Sequence, residues 1–169
     1  IAIEAALIAK NRAPGLDRSF SAQKWKNMDT KLWLQAGDEA MDKEFHGTYD
    51  IWGGDIDPAA VELAKHNAEL AGVEDCIRFE VADATKFHRD SEYGQLVTNP
   101  PYGERLMEKK EAEDLYRAFG KAMRDMPPKW RILVLSSHTE FERCFGRPAD
   151  KKRKLYNGML KCDVFQYGR

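Results

Sequence analysis

The residues best placed to do chemistry lie together in Leu96-Val97-Thr98-Asn99-Pro100-Pro101-Tyr102-Gly103. An apolar run ends there in Asn-Pro-Pro-aromatic. Two successive prolines cannot donate ladder hydrogen bonds, so a strand must stop at this point. Pro101 also keeps Pro100 out of the helical region, which leaves the backbone extended. Asn99 then offers a side-chain carbonyl acceptor, and Pro100 a carbonyl with no N–H beside it. Two acceptors held close together suit an exocyclic amine, which carries two N–H donors. Tyr102 adds a flat face on which a base could stack. The bland alternative is a proline-rich loop.

Elements upstream and downstream must hold that turn in place. Ile51 and Trp52 read as a short strand, and Gly53-Gly54 permits close backbone approach. Asp57 is placed to cap the next helix, with Pro58 at its first position and Gly72 at its end. Asp55, at the strand's tip, stands where nucleotide-binding α/β folds hold ribose hydroxyls. The competing reading makes both acids caps. Ile77-Arg78-Phe79-Glu80-Val81-Ala82 alternates as a strand and stops at Asp83-Ala84. Asp83 alone reads as a turn residue. Its weight comes from the order of strand-Asp55, helix, strand-Asp83, strand-Asn-Pro-Pro-Tyr. Gln95 to Thr98 is the strand leading into Asn99.

The remaining chain supplies scaffold. Ile1 to about Asn11 predicts a helix apolar around most of its circumference, hence a buried one. Ser19 to Asp29 predicts a loop with a short helix. Thr30 to Phe45 predicts a helix with Leu32, Trp33, Ala36, Ala40 and Met41 on one core-facing side. Glu111 to Met126 predicts another, with Leu115, Ala118, Phe119, Ala122 and Met123 at helical spacing and Pro127-Pro128 as the stop. Trp130 to Ser137 predicts a buried parallel strand, and Thr139 to Phe145 a short helix closed by Gly146. Asn157-Gly158 between two strand-like arms predicts a C-terminal hairpin. Lys151 to Lys154 is the one dense basic run. Such runs are usually solvated, though an RNA backbone would suit it. Arg105 offers a phosphate contact, against a plainer reading as a solvated side chain.

Bulk properties bound the class. At 169 residues the chain is one domain's worth. Lys plus Arg, 27, nearly balances Asp plus Glu, 28, so any nucleic-acid contact must be local or lie elsewhere in the protein. Cys76, Cys144 and Cys162 are scattered, fit neither a disulfide framework nor a CxxC metal site, and suggest a reducing cytoplasm. No signal-peptide pattern or membrane-length apolar run occurs.

The motif order resembles the class I methyltransferases that use S-adenosylmethionine. Their fold is an α/β, Rossmann-like sheet whose last strand is inserted antiparallel as part of a C-terminal hairpin. More narrowly, Asn99-Pro100-Pro101-Tyr102-Gly103-Glu104-Arg105-Leu106 is similar to the THUMP-associated RNA methyltransferases, which include bacterial enzymes acting on guanine N2 of 23S ribosomal RNA. Ile3-Glu4-Ala5-Ala6-Leu7, Ala13-Pro14-Gly15, Gly54-Asp55-Ile56-Asp57 and Tyr156-Asn157-Gly158 fit the same pattern. The resemblance implies S-adenosyl-L-methionine as cofactor, held by Asp55, Ile56, Asp83, Ala84 and Asn99. It implies Asn99, Pro100, Pro101 and Tyr102 as the catalytic turn. It implies RNA as partner, with no membrane and no metal.

The family carries a first strand and a Gly-rich loop just before the helix that opens this chain, and a THUMP domain before that. Residues 1–169 are therefore expected to be a methyltransferase catalytic domain lacking its first, central strand. Such a piece is expected neither to fold stably alone nor to bind the cofactor. Rival readings are adenine-N6 methylation of DNA, methylation of a protein glutamine amide, and a non-catalytic RNA-binding or assembly module. A nicotinamide dehydrogenase is less well supported, since no GxGxxG occurs.

Overall fold

The computed structural model describes residues 1–103 and 109–168. The chain divides into two compact units, Ile1–Val81 and Ala82–Arg169.

The first unit contains α1 (Ala2–Ala9), a 3-10 turn (Ser21–Lys24), α2 (Thr30–Asp42), β1 (Ile51–Asp55), α3 (Pro58–Leu70) and β2 (Ile77–Val81). β1 and β2 run parallel in a two-stranded sheet, from Ile51 opposite Ile77 to Asp55 opposite Val81. The crossover helix starts as the sequence requires: Asp57 accepts a hydrogen bond from the Ala59 amide at 2.9 Å, and Pro58 fills the first turn. The core is small, formed by Ala6, Ala68, Val73, Cys76 and Ile77, with Ile3, Leu7, Ile51 and Phe79 at its margin. Arg12 ties the end of α1 to Glu44 at 3.0 Å, just past α2.

Two expectations about this unit need correction. Of α1 only Ala6 is buried, and Ile8 is 77% exposed. A two-stranded sheet can cover only one side of a helix, whatever the helix's composition. α2 has no buried residue, and Leu32 and Met41 of its apolar side are exposed. Trp33 alone finds an aromatic partner, Phe20, with ring centroids 5.6 Å apart.

The second unit contains a 3-10 turn (Ala84–Lys86), β3 (Tyr93–Thr98), α4 (Lys109–Arg124), β4 (Lys129–Ser136), α5 (Phe141–Phe145), β5 (Lys151–Asn157) and β6 (Leu160–Tyr167). Its sheet has the order β3-β4-β6-β5. β3 and β4 are parallel, and β6 is antiparallel to both β4 and β5, so the last strand is inserted inside the sheet as expected. The hairpin forms one residue away from the Asn-Gly signal. Asn157 still pairs with Leu160, so Gly158 and Met159 make the turn.

The core face joins Ile132 and Val134 of β4, Phe165 and Tyr167 of β6, Phe141 and Phe145 of α5, and α4. Here the expected stripe of α4 is shifted. Ala112, Tyr116, Phe119, Gly120 and Met123 are buried, whereas Ala118 is exposed and Leu115 is half-buried. The spacing of Ala112, Tyr116, Phe119 and Met123 is itself helical, but it becomes visible only when the tyrosine ring is counted as core. Gly120 lets the helices touch: a Cβ there would lie 2.0 Å from the Phe145 carbonyl oxygen. Cys76, Cys144 and Cys162 are buried free thiols.

Candidate active site

In the second unit, β3 delivers Asn99 at its C-terminal end, and Pro100-Pro101-Tyr102-Gly103 then leaves the sheet. The turn folds back on itself. Tyr102 donates its hydroxyl hydrogen to the Asn99 side-chain oxygen in a short hydrogen bond. The candidate acceptor and the candidate stacking ring are thus neighbours, three residues apart. Gly103 follows at φ +86°, where a Cβ would also lie 2.9 Å from the Lys109 Cα, so only glycine fits. Arg105, with Glu104 and Leu106 of the same motif, lies outside the described residues.

The turn rests on a buried polar column. The Tyr116 hydroxyl donates to the Pro101 carbonyl oxygen at 2.6 Å and lies 3.3 Å from Ser136 Oγ. Ser136 Oγ in turn accepts from the His138 backbone N–H at 3.1 Å. Tyr116, Ser136 and His138 are all buried. Burial pushes the Tyr116 phenol above its ordinary value, against the hydrogen bond with Ser136. Tyr102 is pushed up too, by burial first and then by the neighbouring Cys162 thiol, while a hydrogen bond with Asn157 acts the other way. Both phenols remain O–H donors at neutral pH.

Asp83 sits before the 3-10 turn, where one carboxylate oxygen accepts from the Thr85 amide at 2.9 Å and the Thr85 hydroxyl at 2.7 Å. Those bonds, the hydroxyl's first, hold its pKa below the usual carboxylate range. Asp83 is an anion at neutral pH, with Ala84 next to it in the turn. The local reading as a cap is therefore realised, and it leaves the acid charged.

The first unit carries the other two expected cofactor residues. Asp55, exposed at the end of β1, accepts from the Asp57 amide at 2.9 Å. Ile56 beside it is 70% exposed. The structure brings Asn99 and Tyr102, both singled out in the sequence, into contact. Sequence reasoning missed Tyr116, Ser136 and His138. Among the described residues no group of His, Cys, Asp and Glu side chains is arranged to hold a metal ion. No helix among them is long and apolar enough to cross a membrane.

A strand ending in Asn-Pro-Pro-Tyr, with an acid at the tip of each of two preceding strands, is the pattern that comparison with known proteins decides. Residues 1–166 match the RMKL-like methyltransferase domain. The chain belongs to that family. It is 44% identical over 168 residues to a Bacillus subtilis (strain 168) protein named "Putative RNA methyltransferase YpsC", covering 99% of this chain and 43% of that protein. It is 40% identical to ribosomal RNA large subunit methyltransferase K/L of Shewanella baltica (strain OS185), covering 96% of this chain and 24% of that protein. Among solved structures it superimposes at a TM-score of 0.94 on SMU.472, described as "a putative methyltransferase complexed with SAH", with 40% identity over 99% of this chain and 45% of that one. The chain thus spans less than half the length of these relatives. Its fold is the Rossmann-like class I methyltransferase α/β sheet with an antiparallel C-terminal hairpin.

Proposed function

We propose that this domain catalyses methyl transfer from S-adenosylmethionine to an exocyclic base amine of RNA, with guanine N2 of 23S ribosomal RNA as the target. The observation that carries the reading is the turn after β3, where an amide oxygen and an aromatic ring are held side by side. The names of the K/L and YpsC relatives support RNA as substrate class. SMU.472 bound to SAH, the donor without its methyl group, supports the cofactor.

The residues present fit that cofactor. Asp83 is kept ionised and so accepts from an adenine amino group, with Ala84 adjacent. The exposed pair Asp55 and Ile56 offers a carboxylate for ribose hydroxyls and an apolar face for a base. When bound, the cofactor supplies an electrophilic methyl group on a positively charged sulfur.

The rest falls to the chain. A base amine is not free inside a helix, so the target base must be flipped out of its stack. Tyr102 stacks on it. Asn99 Oδ1 and the Pro100 carbonyl accept the two N–H bonds, which turns the nitrogen lone pair towards the methyl. As N–C forms and C–S breaks, positive charge grows on nitrogen, and the two oxygens face that charge. No strong base is required, because the proton leaves to water after transfer. In-line positioning supplies much of the remaining acceleration. The rest of the protein is proposed to bring the Gly-rich loop, the strand beside β1 and the RNA-binding THUMP domain, in a bacterial cytoplasm.

The test is calorimetric titration of the full-length protein with S-adenosylmethionine, followed by transfer to ribosomal RNA and to duplex DNA. Asp55→Ala is expected to weaken binding of the donor. Asn99→Ala is expected to bind it as the parent does and lose most turnover; equal losses in both would contradict the assignment of Asn99. Transfer to duplex DNA adenine alone would replace guanine N2 with adenine N6, since the acceptor pair does not distinguish the two amines.

A further inference from the structure

The buried column under the turn has a direction. The His138 N–H donates to Ser136 Oγ, at 3.1 Å. The Tyr116 phenol has one hydrogen, and its 2.6 Å contact with the Pro101 carbonyl uses it. Ser136 therefore donates to Tyr116 across the 3.3 Å contact. Each hydroxyl accepts once and donates once, and the chain ends on Pro101. Linked hydrogen bonds of this kind in a dry interior reinforce one another.

The ring of Tyr116 is explained by packing. It is fully buried and meets Phe141 edge-on at 4.9 Å and His138 at 5.5 Å. Packing does not explain the hydroxyl. A phenylalanine would fill the same core and bring no polar atom into it, so the hydroxyl's reason must lie at its far end.

That end is the peptide plane between Pro101 and Tyr102. The pyrrolidine ring already fixes φ of Pro101. The direction of its carbonyl oxygen is set by ψ alone, and the Tyr116 hydroxyl holds that oxygen. With both angles fixed, the chain enters Tyr102 along one direction. We propose that Tyr116, backed by Ser136, is a positioning residue for methyl transfer: it aims Tyr102 through the Pro101–Tyr102 peptide. This inference rests on the function proposed above.

The test uses the full-length protein, with initial rates of methyl transfer to ribosomal RNA and separate binding of S-adenosylmethionine. Tyr116→Phe removes the hydroxyl's two uncharged hydrogen bonds, to the Pro101 carbonyl and from Ser136, and is expected to lower kcat about tenfold. Donor affinity stays within about twofold, because the column ends on Pro101, whereas Asp83 is held by Thr85. Ser136→Ala, which keeps the Tyr116–Pro101 bond, is expected to cost about threefold in kcat. It also reads the same column should Tyr116→Phe fold poorly. The decisive comparison repeats Tyr116→Phe in a Tyr102→Ala background. A residue that acts through Tyr102 has nothing left to aim there, so the further loss should be under about twofold. A full tenfold loss in that background, or unchanged kcat for both single variants, overturns the proposal. A parent protein that methylates no RNA overturns the functional reading instead, which the two variants do not touch.

Discussion

Replacing Tyr102 by phenylalanine separates two jobs proposed for one side chain. Its hydroxyl donates to Asn99 Oδ1, the atom to which a target amine must also donate. In the proposed reaction its ring is the stacking surface. Base entry must therefore break the Tyr102–Asn99 bond before Asn99 becomes available. A neutral intramolecular hydrogen bond is worth about 0.5–1.5 kcal/mol net. Removing it should lower the KM for RNA by about two- to tenfold, with kcat little changed. Tyr102→Ala removes the ring as well. Stacking is worth about 1–3 kcal/mol per base, so kcat/KM should fall by roughly five- to 150-fold. Because burial raises the phenol's pKa, its proton stays in place through neutral pH, and the contrast should hold across an assay range of about pH 6–9. The assay is steady-state transfer of a labelled methyl group to ribosomal RNA by the full-length protein. If Tyr102→Phe proves as damaging as Tyr102→Ala, the hydroxyl is needed in the reacting complex and the competition described here is refuted.

Two further substitutions probe the scaffold. Gly120→Ala forces a Cβ to within 2.0 Å of the Phe145 carbonyl oxygen; overpacking of this kind costs about 1–3 kcal/mol, so Tm should drop by roughly 5 °C. An unchanged melting curve would show that α4 and α5 can part without penalty. Asp83→Ala removes the carboxylate that holds Thr85, at a cost of about 1 kcal/mol at pH 7 in the donor-free protein. Since the folded pKa of Asp83 is depressed, its contribution is complete above the unfolded value of about 3.9 and is lost as pH falls below that through the folded value. Denaturation of parent and variant should therefore converge as pH falls below the unfolded value; a gap that stays constant on acidification would show that the carboxylate's charge is irrelevant to the turn.

Local signals were readable because they act over a few residues. Asp57-Pro58 started α3 where the capping rules place it, and Pro100-Pro101 ended β3. The C-terminal hairpin followed from the Asn-Gly signal and the insertion of its last strand from the family resemblance, although pairing of Asn157 with Leu160 moved the turn by a residue. Burial was less legible, since it depends on what a segment packs against. The apolar circumference of α1 and the stripe of α2 read as core-facing, yet beside a two-stranded sheet only Ala6 of α1 and no residue of α2 is buried. Tyr116 escaped notice for a different reason. Its ring belongs to the core and its hydroxyl to the turn, and the link between them spans 15 residues of chain. Ser136 and His138 were hidden at the end of an apolar strand, where nothing in their immediate neighbours marks a polar column.

β5 combines an open sheet edge with a row of basic side chains. It is the outer strand of its sheet, and all seven of its residues are exposed. An outer strand offers its unpaired backbone to any passing strand, and lysines along it discourage that approach through charge repulsion and bulk. Lys151, Lys152, Arg153 and Lys154 stand along that strand. Neutralising them would weaken attraction for a phosphate backbone and remove a guard against self-association in the same stroke. A drop in RNA affinity after such changes therefore has meaning only when the sample's state of aggregation is measured beside it.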